Sequence, residues 1–84
     1  MNLTNQDIKN LKDKKFRRNN NLFMVEGDKF CKDLLNTDIE IVYTLTCNKS
    51  LTGFPNIEVI SEKMLSSLAT TKSSQDTICI CKVN

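Results

Sequence analysis

Eighty-four residues, 39% hydrophobic and 26% charged with a net charge of +2, suffice for one modest soluble core and not for two. With two glycines and one proline, the chain is neither low-complexity nor linker-dominated. It has no histidine, the commonest general acid–base, and no apolar run near the ~20 residues that span a bilayer.

The charge is unevenly placed. From Met1 to Gly27, six cations (Lys9, Lys12, Lys14, Lys15, Arg17, Arg18) meet three acids (Asp7, Asp13, Glu26), a net +3. The remaining six lysines and seven acids give −1. One basic segment on a balanced chain is the asymmetry expected where an anion is held at one place. Met1 to Gln6 lack the charged and apolar regions of a secretory signal, so a cytoplasmic protein with no membrane partner is expected. In that reducing setting Cys31, Cys47, Cys79 and Cys81 are expected as unpaired thiols, mostly small buried hydrophobes. Without histidine or a Cys-x-x-Cys knuckle, no metal site is expected.

Thr4-Asn5-Gln6-Asp7 has the form of a capping box, with Leu3 and Ile8 placed as a hydrophobic staple. Ile8 and Leu11 then supply one apolar stripe to a short helix. Lys14 to Asn21, basic and rich in asparagine, is expected as a loop. The continuous apolar run Leu22-Phe23-Met24-Val25 suits a strand covered on both faces, as in a parallel sheet flanked by helices. Glu26-Gly27-Asp28 turns the chain into a helix to Leu35, with Phe30, Cys31, Leu34 and Leu35 at helical spacing. Ile39 to Leu45 is β-branched and partly alternating, a strand. Asn48 to Asn56, with Gly53 and Pro55, is a surface loop, and Ile57 to Ile60 a short strand. Ser61 caps a helix whose Met64, Leu65 and Leu68 face inward, with Ile60 and Leu65 as a second staple. Ala69 to Gln75 is a polar loop, and Thr77 to Val83 a last apolar strand. Helices alternating with buried strands imply a layered α/β sandwich.

Three places could carry chemistry. Lys12-Asp13-Lys14-Lys15-Phe16-Arg17-Arg18-Asn19-Asn20-Asn21 offers cations for phosphates, with Asn20 among the amides available to ribose and base edges. Phe16 and Phe23 could stack on an unpaired base. The plainer reading is a solvated basic loop with Phe16 covering a helix end. Glu26-Gly27, at a strand-to-helix junction, offers close backbone approach and an acceptor for a ribose hydroxyl or an arginine, or is a plain turn. Thr70 to Gln75 surrounds Lys72 with short polar side chains and is equally a bare loop. No catalytic residue emerges: there is no glycine-rich phosphate loop and no cysteine with a basic partner.

These segments resemble the N-terminal substrate-binding domain of SpoU/TrmH-family RNA 2′-O-ribose methyltransferases, over about Ile8 to Val83. That domain has a basic K-x-R segment (Lys15-Phe16-Arg17 here), then an apolar strand ending V-E-G (Val25-Glu26-Gly27). It closes with a helix, T-x-x-P-Q-G, and an apolar strand. Here Ser74 stands at the family proline and Asp76 at the glycine, an acid that would repel phosphate. The resemblance implies a three-layer α/β/α sandwich similar to kink-turn-binding ribosomal proteins, and a role presenting rRNA or tRNA, not DNA, to a knotted catalytic domain. It implies RNA contacts at Lys14, Arg17, Arg18, Glu26, Gly27, Lys72 and Gln75, joined by Lys12, Lys15 and Asn20 from the basic segment. S-adenosylmethionine would belong to the catalytic domain, which has no counterpart in these residues. This domain alone is expected to be non-catalytic and monomeric, excised from a homodimeric parent. The competing expectations are a free-standing kink-turn-type RNA-binding protein and a protein–protein interaction module.

Overall fold

The computed structural model describes residues 4–69 and 76–83, with nothing said of the Asn5 side chain. The elements are α1 (Asn5–Lys12), α2 (Lys14–Asn19), β1 (Leu22–Glu26), α3 (Asp28–Leu34), β2 (Ile41–Thr46), β3 (Ile57–Val59), α4 (Glu62–Leu68) and β4 (Thr77–Lys82).

Helix α1 starts on the capping box. Thr4 Oγ1 accepts from the Asp7 N–H at 3.1 Å, and the Asp7 carboxylate accepts from the Thr4 N–H at 2.9 Å. Leu3, half of the expected staple, lies outside the described residues. The main departure from the sequence reading follows at once: Lys14 to Asn19 is a helix, not a loop. Asp13 explains it, because one residue closes α1 and opens α2. Its N–H donates to Asn10 O at 3.0 Å, and its carboxylate accepts from the Lys15 N–H at 2.9 Å. The lysines and arginines that follow are good helix formers. Asparagine ends the helix, with Asn21 in the left-handed region at φ 56°.

The four strands run in the order β1-β4-β2-β3. β4 is antiparallel to both β1 and β2, and only β3 is parallel to its neighbour β2. The parallel pairing expected of Leu22–Val25 is therefore corrected, although its two faces do pack against the two cores, Leu22 and Met24 on one and Phe23 and Val25 on the other. β1 is an antiparallel edge strand, half-buried along its length. The central strand is β4, in which Thr77 to Cys81 are all buried.

Alternation along β4 builds two cores. Ile78 and Ile80 meet Ile8 and Leu11 of α1, Leu65 and Leu68 of α4, and Leu45 of β2. On the opposite face, Cys79 and Cys81 meet Cys31 and Leu34 of α3 and Ile41 of β2. The sheet is thus the middle layer of an α/β/α sandwich. A bulge preserves the sorting: Ile41 pairs with Cys81 but Tyr43 with Ile80, leaving Val42 as an extra residue. Ile41 therefore faces α3, while Tyr43 and Leu45 turn to the other core. Of the apolar residues predicted on α3, Cys31 and Leu34 are buried, whereas Phe30 (64% exposed) and Leu35 (42% exposed) face solvent.

The buried threonines are satisfied, as such hydroxyls must be. Thr44 Oγ1 donates to Pro55 O and Thr46 Oγ1 to Asp76 O, each at 2.8 Å. Thr46 and Thr77 share a further hydrogen bond at 3.2 Å. All four cysteines are free thiols. The Cys31 thiol donates to Val25 O at 3.4 Å, and its hydrogen bond to Cys79, aided by burial, holds it well above the ordinary thiol range. Burial pushes Cys81 up to about 11.

Candidate nucleic-acid interface

The basic segment becomes a structured surface because α2 lies against β1 at the sheet edge. On a helix, residues three and four apart are neighbours, so Lys14, Arg17 and Arg18 share one side. That side forms one wall of an open groove of about 440 Å³, whose lining continues through Asn21, Leu22, Phe23 and Met24 to Glu26, with Val83 beside them. Because β1 is the edge strand, residues that alternate between its faces all reach this groove. Leu22 and Met24 belong to the core under α1, and Phe23 to the core under α3. The sheet end is closed where the Val83 N–H donates to Asn21 O at 2.7 Å. Arg18 and Lys14 also line a second depression across α2, together with Asp13, Lys15 and Asn19.

The cations differ in their commitments. Arg17 is half-buried, and its Nη1 donates to Leu11 O at 2.6 Å and to Lys12 O at 3.0 Å. Those carbonyls belong to the last turn of α1, which has no intrahelical donors for them. Arg17 therefore ties the end of α1 to α2 while lining the groove. Arg18, Lys14 and Lys15 are exposed.

Other expected contacts are brought elsewhere. Lys12 is exposed in the last turn of α1 and lines neither depression on α2. Asn20 spends its side-chain N–H on Phe16 O at 2.8 Å, a helix-end cap. It lines a different groove, of about 400 Å³, with Asp7, Phe16, Glu40 and Tyr43 among its walls. Phe16 is half-buried, packs against the core in that region and lines that groove, not the basic one. Gly27 has φ 108° and ψ 137°, a conformation open essentially to glycine alone, and begins α3 while its N–H donates to Thr77 O at 3.1 Å. Its place in the motif thus has a backbone cause. Lys72 and Gln75 lie outside the described residues. The sequence reading missed Leu22, Met24 and Val83 as groove residues. The apolar run signalled a strand, but nothing local showed that it would be an edge.

Among the described residues, no three His, Cys, Asp or Glu side chains are grouped to hold a metal ion, and no helix is long and apolar enough to cross a membrane. The arrangement brings cations, apolar surface and a carboxylate to one groove.

Residues 2–79 match the family model described as the MRM3-like substrate-binding domain. The chain belongs to that family. A crystal structure of an RNA 2′-O ribose methyltransferase superposes with TM-score 0.77 at 21% identity, covering 96% of this chain. A protein described as a TrmH-family RNA methyltransferase, from Porphyromonas gingivalis, gives TM-score 0.71 at 17% identity over 99% of this chain. At these identities the two likenesses establish the shared fold, and this substrate-binding domain spans 36% of the length of each. No curated protein sequence matches it.

Proposed function

We propose that this domain binds structured rRNA or tRNA through the groove between α2 and the outer edge of β1, and presents it to a 2′-O-ribose methyltransferase domain of a longer parent enzyme. The observation that carries the reading is the convergence of Lys14, Arg17 and Arg18 with Phe23 and Glu26 in one groove, in a chain of a substrate-binding family. Lys14 and Arg18 supply exposed charge for phosphates, and Arg17 fixes the helix that carries them. S-adenosylmethionine would be held elsewhere in the parent. The two glycines serve a strand-to-helix turn and a surface loop, so these residues form no glycine-rich cofactor loop, and no catalytic step is assigned to them. The parent would be a cytoplasmic homodimer, with this domain contributing RNA affinity.

The test is binding of the domain to rRNA fragments and to tRNA at several salt concentrations, with wild type beside the Lys14→Ala/Arg18→Ala double variant. Each phosphate contact contributes about 0.7–0.9 to the log–log salt slope between single-stranded and duplex nucleic acid, so the variant should lose about 1.4–1.8 of slope. Equal slopes at equal affinity would leave α2 a solvated surface and turn the search toward protein partners.

A further inference from the structure

Resting on the RNA-binding reading, we infer that the α2–β1 groove receives an unpaired nucleotide, its base against the apolar floor and its phosphates on Lys14 and Arg18. A surface that only follows duplex phosphates needs cations and no apolar depth. Here Leu22, Phe23 and Val83 line the same groove as the cations and Glu26. Val83 is 49% exposed and Phe23 is half-buried, so both keep surface that a flat ring can cover. The volume of about 440 Å³ falls within the ~300–1,000 Å³ of small-molecule sites.

The charge order sets the orientation. Glu26 ends β1, at the far end of the strand from Leu22, and alternation puts its side chain on the same face as Leu22 and Met24. A carboxylate accepts hydrogen bonds and repels phosphate, so the nucleotide's anion lies at the α2 wall. Its amino or hydroxyl donors then lie toward Glu26. Cytosine, adenine and guanine carry exocyclic amino groups and uracil an N3–H, so each base has a donor for a carboxylate and Glu26 sets the orientation of the base and the ranking among the four. Base-paired A-form RNA cannot comply: its bases are stacked, and its major groove is too deep and narrow for side chains to enter.

The experiment compares two RNAs of equal length and charge, a perfect duplex and the same duplex with one unpaired 2-aminopurine, at fixed salt. Stacking of one base predicts roughly tenfold tighter binding of the second RNA and a change in 2-aminopurine fluorescence on complex formation. Phe23→Leu should reduce that preference while a thermal melt confirms folding. Glu26→Gln should alter the ranking among the four bases at the unpaired position. Equal affinity for both RNAs with unchanged fluorescence overturns the nucleotide site and leaves the RNA-binding reading intact. Binding to neither RNA removes both. The comparison of the two RNAs needs only the wild-type protein, so an unfolded variant cannot obscure it.

Discussion

Arg17 and Arg18 are neighbours with identical side chains, and replacing each by alanine should have opposite consequences. Arg17 Nη1 donates to Leu11 O at 2.6 Å and Lys12 O at 3.0 Å, while Asp13 N–H takes Asn10 O at 3.0 Å. Arg17→Ala therefore leaves two α1 carbonyls without protein donors and removes a cation from a helix C-terminus. A hydrogen bond to a charged group contributes ~1.5–3 kcal/mol. The two bonds share one nitrogen and the side chain is partly solvated, so the loss is about 2 kcal/mol and not twice the single value. At ~4–8 °C per kcal/mol for a domain of this size, the melting temperature should fall by roughly 8–16 °C. Arg17→Lys should recover part of this, because an ammonium donates but lacks the planar reach of a guanidinium. Arg18→Ala, at an exposed position, should change stability by less than ~0.5 kcal/mol and weaken RNA binding instead. Circular-dichroism melts and urea titrations of the three variants decide the matter. If Arg17→Ala melts with Arg18→Ala, the strut between α1 and α2 has no energetic content.

Gly27→Ala should destabilise by about 1–3 kcal/mol, since φ 108° with ψ 137° strains any residue with a Cβ, and urea midpoints will show it. Thr4→Ala should cost about 1 kcal/mol through the capping box, measured the same way, with RNA affinity unchanged after correction for folding. The Cys81 thiol, pushed up to about 11 from 9.0, keeps its proton in the folded state after the unfolded chain has lost it. Fewer protons on the unfolded chain mean that stability falls as pH rises from about 9 to about 11. Cys81→Val should flatten that part of the pH–stability curve, and an identical curve would refute the assignment. Thiol alkylation at neutral pH should begin at half-buried Cys47, with Cys31, Cys79 and Cys81 modified only on unfolding.

What was legible in the sequence was whatever local chemistry dictates. Thr4 and Ser61 marked helix starts because their hydroxyls accept backbone N–H groups nearby, the latter from Met64 at 3.1 Å. The β-branched Ile39–Leu45 run and the alternating Thr77–Val83 run located β2 and β4 to within two residues. The basic helix was hidden because its start is Asp13, a residue already used to end α1, and its composition suggests solvent and not a core. The edge position of β1 was invisible because four apolar residues in a row fit any well-covered strand, and the half-burial comes from strand order alone. In the site, Lys14, Arg18, Phe23 and Glu26 were readable as charge, ring and carboxylate. That Asn20 and Phe16 turn away, and that Arg17 is half spent on α1, depends on helical phase, which a loop assignment cannot supply.

The most direct test of the account follows the backbone amide signals of the 15N-labelled domain as an RNA with one unpaired nucleotide is added. Shifts centred on Lys14, Arg17, Arg18, Asn21, Leu22, Phe23, Met24, Glu26 and Val83 are the predicted result, since those residues line the groove. Shifts concentrated instead on α3, β3 or the 48–56 loop, with α2 unmoved, would contradict the central claim that the α2–β1 groove is the RNA surface.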